Sequence, residues 1–293
     1  MPQQQNIIAI VYDYDNTLSP TSMQEDVIFD RIGVNAKQFW ENTNRLKVYK
    51  SYEDDLAWIR LLLENSEFRD LSNGDLETMG QELKFHPGVP QVFDELGQIL
   101  QQEKYSRHGI VLEHYIVTSG LKAVLNGSVL SKHVERIFGC ELDEDSNGKV
   151  FWPKRIVSHT AKTQYLFRIT KGIEYVDLTH DVNDHMPESE RRIPFENMLY
   201  IGDGPTDVPC FAVITGRQGR ALAVYDPTNE ASFETCMSLM EAHRVNHVAE
   251  ADYRTGTHLR RLIEYMVEQM ADRIVTDIDA RYEKRVIHAP RHT

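Results

Sequence analysis

The sequence predicts an α/β protein built on a parallel sheet, with a helical segment inserted early in the chain. Three observations carry that prediction. Residues 6–12 are rich in Ile and Val without alternation, the pattern of a strand buried on both faces. The same pattern returns at Ile110–Val117, at Asn197–Ile201 and, more weakly, at Ala221–Tyr225, with helical patterns between, so strand and helix alternate. From Ser19 to about Phe85 no convincing strand occurs, which places about 65 helical residues between the first strand and the second.

Within that insertion, Thr21-x-x-Gln24 and Asn35-x-x-Gln38 are arranged as helix N-terminal caps. Asp54 to Leu63 carries a dense apolar face through Leu56, Ile59, Leu62 and Leu63. His86-Pro87-Gly88-Val89-Pro90 punctuates the return and opens an amphipathic helix through Val92, Phe93, Leu96 and Leu100. Asp143 to Gly148 is a polar turn between two short apolar runs, read as a surface hairpin or loop; its EF-hand spacing is incomplete for a calcium loop. Residues 174–196 are charged, with two prolines, and form an excursion that either reaches the active site or decorates the surface. Leu259, Leu262, Ile263, Met266, Val267, Met270 and Ile274 mark a late amphipathic helix that packs on the core or on a second copy. Residues 281–293 are expected to fray.

At 293 residues the chain is long enough for one large domain, alone or carrying a smaller one. A net charge of -13 argues against a nucleic-acid surface, which needs clustered Lys and Arg. A small phosphorylated ligand stays compatible, because a cation and a few donors reverse the local field in one cleft. The three cysteines, Cys140, Cys210 and Cys236, are far apart and outside any CxxC pattern, as buried thiols of a reducing compartment are. The amino-terminal residues lack the basic region and long apolar stretch of a signal peptide, and no apolar run is long enough to span a membrane. The expected location is therefore cytoplasmic. Twelve histidines include no HExxH pair, and neither a GxSxG elbow nor a P-loop is present.

Chemistry gathers where apolar runs stop. Asp13-Tyr14-Asp15-Asn16-Thr17 follows the first strand, Thr118-Ser119-Gly120 ends the second, and Gly202-Asp203-Gly204-Pro205-Thr206-Asp207 follows Ile201. Ligands of parallel α/β sheets bind beyond the carboxyl ends of the strands, so neighbouring strands would bring these segments into one crevice. There Asp13 and Asp203 supply hard oxygen ligands to Mg²⁺. Asp15 stands where the chain turns, with its side chain toward a leaving group and its backbone carbonyl toward the metal.

These segments resemble the signatures of the haloacid dehalogenase-like hydrolases, specifically the aspartate-nucleophile, phosphoserine phosphatase-like phosphatases. The resemblance implies a Rossmann-like parallel sheet core (1–18 and 86–293) with an inserted helical cap domain (19–85). It implies a Mg²⁺-dependent phosphatase hydrolysing a small phosphorylated metabolite, a phosphate monoester, through an aspartyl-phosphate. Asp13 is then the nucleophile and Asp15 the general acid and base. Thr17, Ser119, Gly120 and Lys162 serve phosphate binding; Asp13, Asp15 and Asp203 hold the metal, and Asp207 stands behind them or assists it.

Some alternatives stay open at this level. Ser119 also reads as a helix N-cap, and Lys154 and Lys171 compete with Lys162, which stands about forty residues before Asp203. Arg45, Lys47 and Lys50 meet an anionic substrate or form a solvated helix face. A phosphoryl-transferring mutase and a non-catalytic phospho-ligand binding module are the rival functions. Substrate identity and oligomeric state are not determined by the sequence.

Overall fold

The computed structural model describes residues 5–173 and 181–287, with side chains as far as residue 283. Its seven strands are β1 (Ile7–Tyr12), β2 (Val111–Leu121), β3 (Arg136–Glu144), β4 (Val150–Arg155), β5 (Met198–Gly202), β6 (Arg220–Tyr225) and β7 (His247–Glu250). They form one sheet in the order β4-β3-β2-β1-β5-β6-β7. Every neighbouring pair is parallel except β3 and β4, which make an antiparallel hairpin at one edge. This is the predicted mainly parallel α/β architecture.

Central placement explains the composition of β1. Ile8 through Tyr12 are fully buried, so each position faces packed side chains and an alternating polar residue would have no solvent to meet. From β1 the chain fills the sheet first toward β2 and β3, then on the other side toward β5, β6 and β7. The order reverses at β1, and the crevice beyond its carboxyl end is where such sheets bind ligands.

Eleven α-helices are described: α1 (Ala36–Lys50), α2 (Asp54–Glu64), α3 (Ser66–Arg69), α4 (Asn73–Gly80), α5 (Gln91–Gln98), α6 (Glu103–Ser106), α7 (Lys122–Gly127), α8 (Lys162–Lys171), α9 (Val208–Thr215), α10 (Glu230–Glu241) and α11 (His258–Ile287). The first four, with a π-helical turn at Gln24–Ile28, fill residues 19–85, where no strand is described. The two ends of this segment meet, the His86 amide donating to the Leu18 carbonyl at 2.9 Å. Its last helix lies close against α7: a Cβ at Gly80 would stand 1.8 Å from the Val124 carbonyl oxygen, and one at Gly127 1.7 Å from that of Glu77. Glycine at both positions is what lets the two backbones touch.

Several local expectations are corrected. Asn35 caps α1 as predicted, accepting from the Gln38 amide at 3.0 Å, but Thr21 caps nothing, and Ser22 accepts from Glu25 instead. On α2 the buried stripe is Asp55, Trp58, Ile59 and Leu62, while Leu56 faces outward. The 143–148 turn closes the β3–β4 hairpin, with Asp145 Oδ1 accepting the amides of Asn147 and Lys149. Strand β7 was not anticipated; its four residues are too few to show a pattern. Helix α11 continues past Arg281 to Ile287 instead of fraying there, and residues 288–293 lie outside the described residues. Of the 174–196 excursion, 174–180 also lie outside them. The remainder ties to the amino ends of the strands, through Arg192 to Glu113 and through the Glu188 carbonyl to Gln5, and away from the crevice.

Cys140, Cys210 and Cys236 are buried and form no disulfide. Among the described residues no helix is long and apolar enough to cross a membrane.

Candidate active site

One residue past β1, the Asp13 amide still donates to Ile201 at 2.9 Å, so the carboxylate stands at the rim of the sheet. The chain then folds back, the Tyr14 carbonyl accepting the amides of Thr17, Leu18 and Ser19. Asn16 takes the left-handed conformation (φ 57), which Asn tolerates better than most residues. Two backbone amides fix the carboxylates: Tyr14 donates to Asp13 Oδ1 at 2.7 Å, and Met23 donates to Asp15 Oδ1 at 2.8 Å.

The neighbouring strand explains the glycine before Asp203. A Cβ at Gly202 would stand 2.2 Å from Asp207 Oδ2, so only glycine leaves room for that buried carboxylate. Asp207 Oδ1 accepts from Tyr200 Oη at 2.7 Å and from Lys162 Nζ at 2.9 Å, and its Oδ2 accepts the Asp203 amide at 3.2 Å.

Lys162 opens α8, where the helix dipole disfavours a positive charge. Two carboxylates offset this, Asp13 Oδ2 at 2.8 Å and Asp207 Oδ1 at 2.9 Å, and the side chain is 1% exposed. The rival lysines are engaged elsewhere: Lys154 reaches Glu141 at 3.8 Å, and Lys171 donates to the Val182 carbonyl at 2.7 Å.

Burial dominates the electrostatics. It pushes the Asp13 carboxyl up to about 7, with Asp207 adding to the rise and Lys162 opposing it. Asp15 rises to about 6, burial again leading, with the Met23 amide opposing. Asp203 is held well above the ordinary carboxylate range by burial, then by Asp207 and Asp13. Burial alone would lower Lys162, but Asp13 and Asp207 outweigh it and raise the ammonium above its usual value.

Carboxylate oxygens of Asp13, Asp203 and Asp207 lie within 4.8 Å of one another. Three crowded hard-oxygen donors that repel each other suit a divalent cation such as Mg²⁺. The group contains Asp207, whose oxygens also accept from Tyr200, Lys162 and the Asp203 amide, whereas the Asp15 carboxylate, with Oδ1 accepting from Met23, is not part of it.

A cavity of about 310 Å³ opens above these groups. Asp13, Asp15, Ser119, Lys162 and Asp203 line it, together with Thr118, His159 and Thr206. The Ser119 hydroxyl is buried without a partner. Ser119 lies inside β2, and α7 starts only at Lys122, so the helix-cap alternative falls. Three expected residues do not line the cavity. The Gly120 amide is already taken by Thr118 Oγ1 at 2.9 Å, Thr17 is fully buried with its carbonyl accepting from Tyr253 Oη at 2.8 Å, and Asp207 lies behind Lys162.

The opposite wall comes from the helical segment, through Ser22, Gln24, Trp40, Thr43, Asn44, Lys47, Asp54, Asp55 and Trp58. Of these only Lys47 was anticipated, while Arg45 and Lys50 are exposed and absent from the lining. A signal existed for Asp55: it is a carboxylate on the buried stripe of an amphipathic helix, where charge needs a reason.

The sequence matches no protein-family model. It is 32% identical over 285 residues to an uncharacterized protein of Borreliella burgdorferi, covering 88% of this chain and 96% of that one, so the two share a family. Among solved structures, phosphoserine phosphatase in apo form superposes with TM-score 0.54 at 16% identity, over 88% of this chain and 98% of that one. A phospho-aspartyl intermediate analogue of phosphoserine phosphatase gives 0.52 at 14%, over 89% and 99%. The chain shares the fold of these haloacid dehalogenase-like hydrolases. A HAD family hydrolase of Salmonella enterica serovar Typhi is similar as well, with TM-score 0.53 at 14% identity, over 84% of this chain and 68% of that one. Within this haloacid dehalogenase-like fold the acidic group occupies the crevice at β1, where the strand order reverses.

Proposed function

We propose that the chain is a Mg²⁺-dependent phosphatase that hydrolyses a small-molecule phosphate monoester through an aspartyl-phosphate on Asp13. The observation that carries this reading is the Asp13 carboxylate at the cavity wall, paired with buried Lys162 at 2.8 Å and crowded by Asp203 and Asp207. That setting suits a nucleophile that meets an anionic phosphoryl group.

Asp13 attacks phosphorus and the bond to the ester oxygen breaks; Asp15 donates its proton to the departing alkoxide. Asp15 then takes a proton from the water that attacks the aspartyl-phosphate, releasing inorganic phosphate and restoring Asp13. Its pKa of about 6 suits a group that must give and take a proton near neutral pH. The unpartnered Ser119 hydroxyl donates to a phosphoryl oxygen, and Lys162 offsets charge on Asp13 and the phosphoryl group. Asp13, Asp203 and Asp207, with the Asp15 carbonyl, would hold Mg²⁺. When bound, it supplies the positive charge that favours ionised Asp13 and lowers repulsion toward the phosphate.

In this reading residues 19–85 act as a cap that excludes water and selects the alcohol. The protein works in the cytoplasm, in keeping with three buried cysteines that form no disulfide. The test is phosphate release from a panel of monoesters with Mg²⁺, and acid-quenched capture of phosphate on the peptide containing Asp13. Release that survives Asp13→Asn would overturn the reading.

A further inference from the structure

Resting on the phosphatase reading, we propose that the alcohol of the substrate carries an ammonium group and no carboxylate. The ammonium would sit between Asp55, Gln24 and the indoles of Trp40 and Trp58, all of which line the cavity on the side of the helical segment.

Asp55 is the leading observation. It is 3% exposed, and its carboxylate has one long hydrogen bond, from Trp58 Nε1 at 3.4 Å. No ion pair to it is found among the described residues. A buried carboxylate so poorly matched is costly unless a cation completes it. The adjacent Asp54 differs, being paired with Lys47 at 2.7 Å. Gln24 is independent of Asp55 and points the same way: it is 3% exposed, and its buried Oε1 has no partner, leaving an acceptor for an N–H group. The indoles of Trp40 and Trp58 line the same wall, and an aromatic ring whose face meets a cation attracts it.

The same wall is poorly suited to a carboxylate. Both lysines that line the cavity are engaged, Lys47 by Asp54 and Lys162 by Asp13 and Asp207, and no arginine is among the lining residues. His159, the remaining basic side chain there, acts electrostatically on Asp55 itself. Once the phosphoryl end is accommodated, the far wall therefore presents acceptors and aromatic side chains rather than an unpaired cation.

Matched substrates test this in the full chain with Mg²⁺. The pairs are 2-aminoethyl phosphate against propyl phosphate, and 2-(trimethylammonio)ethyl phosphate against 3,3-dimethylbutyl phosphate, which differ in charge but little in shape. In at least one pair the ammonium ester is expected to exceed its neutral isostere about tenfold in kcat/KM, the scale of a desolvated cation–π contact. Phosphoserine, which adds a carboxylate, is expected to lose that advantage. Asp55→Asn and, separately, Gln24→Leu should shrink the ammonium-to-neutral ratio toward one. Equal turnover within both pairs, or a preference for phosphoserine, overturns the proposal and leaves the phosphatase reading standing. Absence of any hydrolysis counts against the phosphatase reading, and calorimetry then decides the ammonium site: Asp13→Asn protein should bind 2-aminoethyl phosphate or its trimethyl analogue about tenfold tighter than the matching isostere, and equal affinities overturn it.

Discussion

Lys162 Nζ lies 2.9 Å from Asp207 Oδ1, with the two side chains 1% and 0% exposed. The pair joins the first residue of α8 to the loop after β5, and Asp13 completes it from β1. Three separate chain segments thus share one buried charge network. A network of this kind is costly to break from one side, because the remaining charges stay buried without a partner.

Lys162→Ala should therefore destabilise the metal-free protein by about 3–5 kcal/mol, read as a lower urea midpoint at unchanged slope. Wild-type stability in the variant would show that the ammonium contributes nothing to folding.

Gly202→Ala tests the space beside Asp207. The new methyl would stand 2.2 Å from Asp207 Oδ2, and that side chain is held by Tyr200, Lys162 and the Asp203 amide, so it has no room to swing away. A loss of about 1–3 kcal/mol is expected, with a smaller thermal shift on adding Mg²⁺ than the wild type gives. An unchanged Mg²⁺ shift would separate Asp207 from the metal site.

Ser119→Ala separates structure from chemistry. The Oγ has no partner in the fold, so its removal breaks no hydrogen bond and the urea midpoint should stay close to wild type. Phosphate release should nevertheless fall about 100-fold or more in kcat, the usual cost of one lost donor to developing charge. Full activity would remove Ser119 from phosphate binding.

Burial also predicts how stability depends on pH. Without a cation, Asp15 is raised to about 6 and Asp13 to about 7 from an ordinary 3.8, so the folded chain keeps protons that the unfolded chain has released. Their stabilising contribution is complete below pH 3.8 and is lost as pH rises through 6 and 7. In EDTA, the Tm of Asp15→Asn should fall less steeply than that of the wild type between about pH 4 and 6, the interval between the unfolded and folded pKa of Asp15. Identical slopes would mean that Asp15 titrates normally in the folded state.

Much of the acidic side of the crevice was readable in the chain. Asp13, Asp15 and Asp203 follow strands whose apolar runs are long enough to be recognised, and acidic residues at buried strand ends have few structural uses. Lys162 was favoured because an apolar helical face follows it, and the geometry indeed sets it against Asp13 while Lys154 and Lys171 turn elsewhere. Gly120 and Thr17 were placed less well. Whether an amide is free or taken depends on a side chain two residues away, as with Thr118 and Gly120, and local spacing carries no record of it.

The sequence by itself determined the α/β class, the helical segment after β1 and the acidic strand ends, because burial pattern and turn chemistry are local properties of the chain. Tertiary structure decided which strands adjoin β1, which lysine meets Asp13, and that the Asp207 carboxylate stands close to those of Asp13 and Asp203. It also built the far wall of the cavity. Gln24, Trp40 and Asp55 line one cavity with Asp13 and Asp15 only because residues 19–85 fold back over the end of the sheet, and contacts across that distance in sequence follow from packing, which no local pattern encodes.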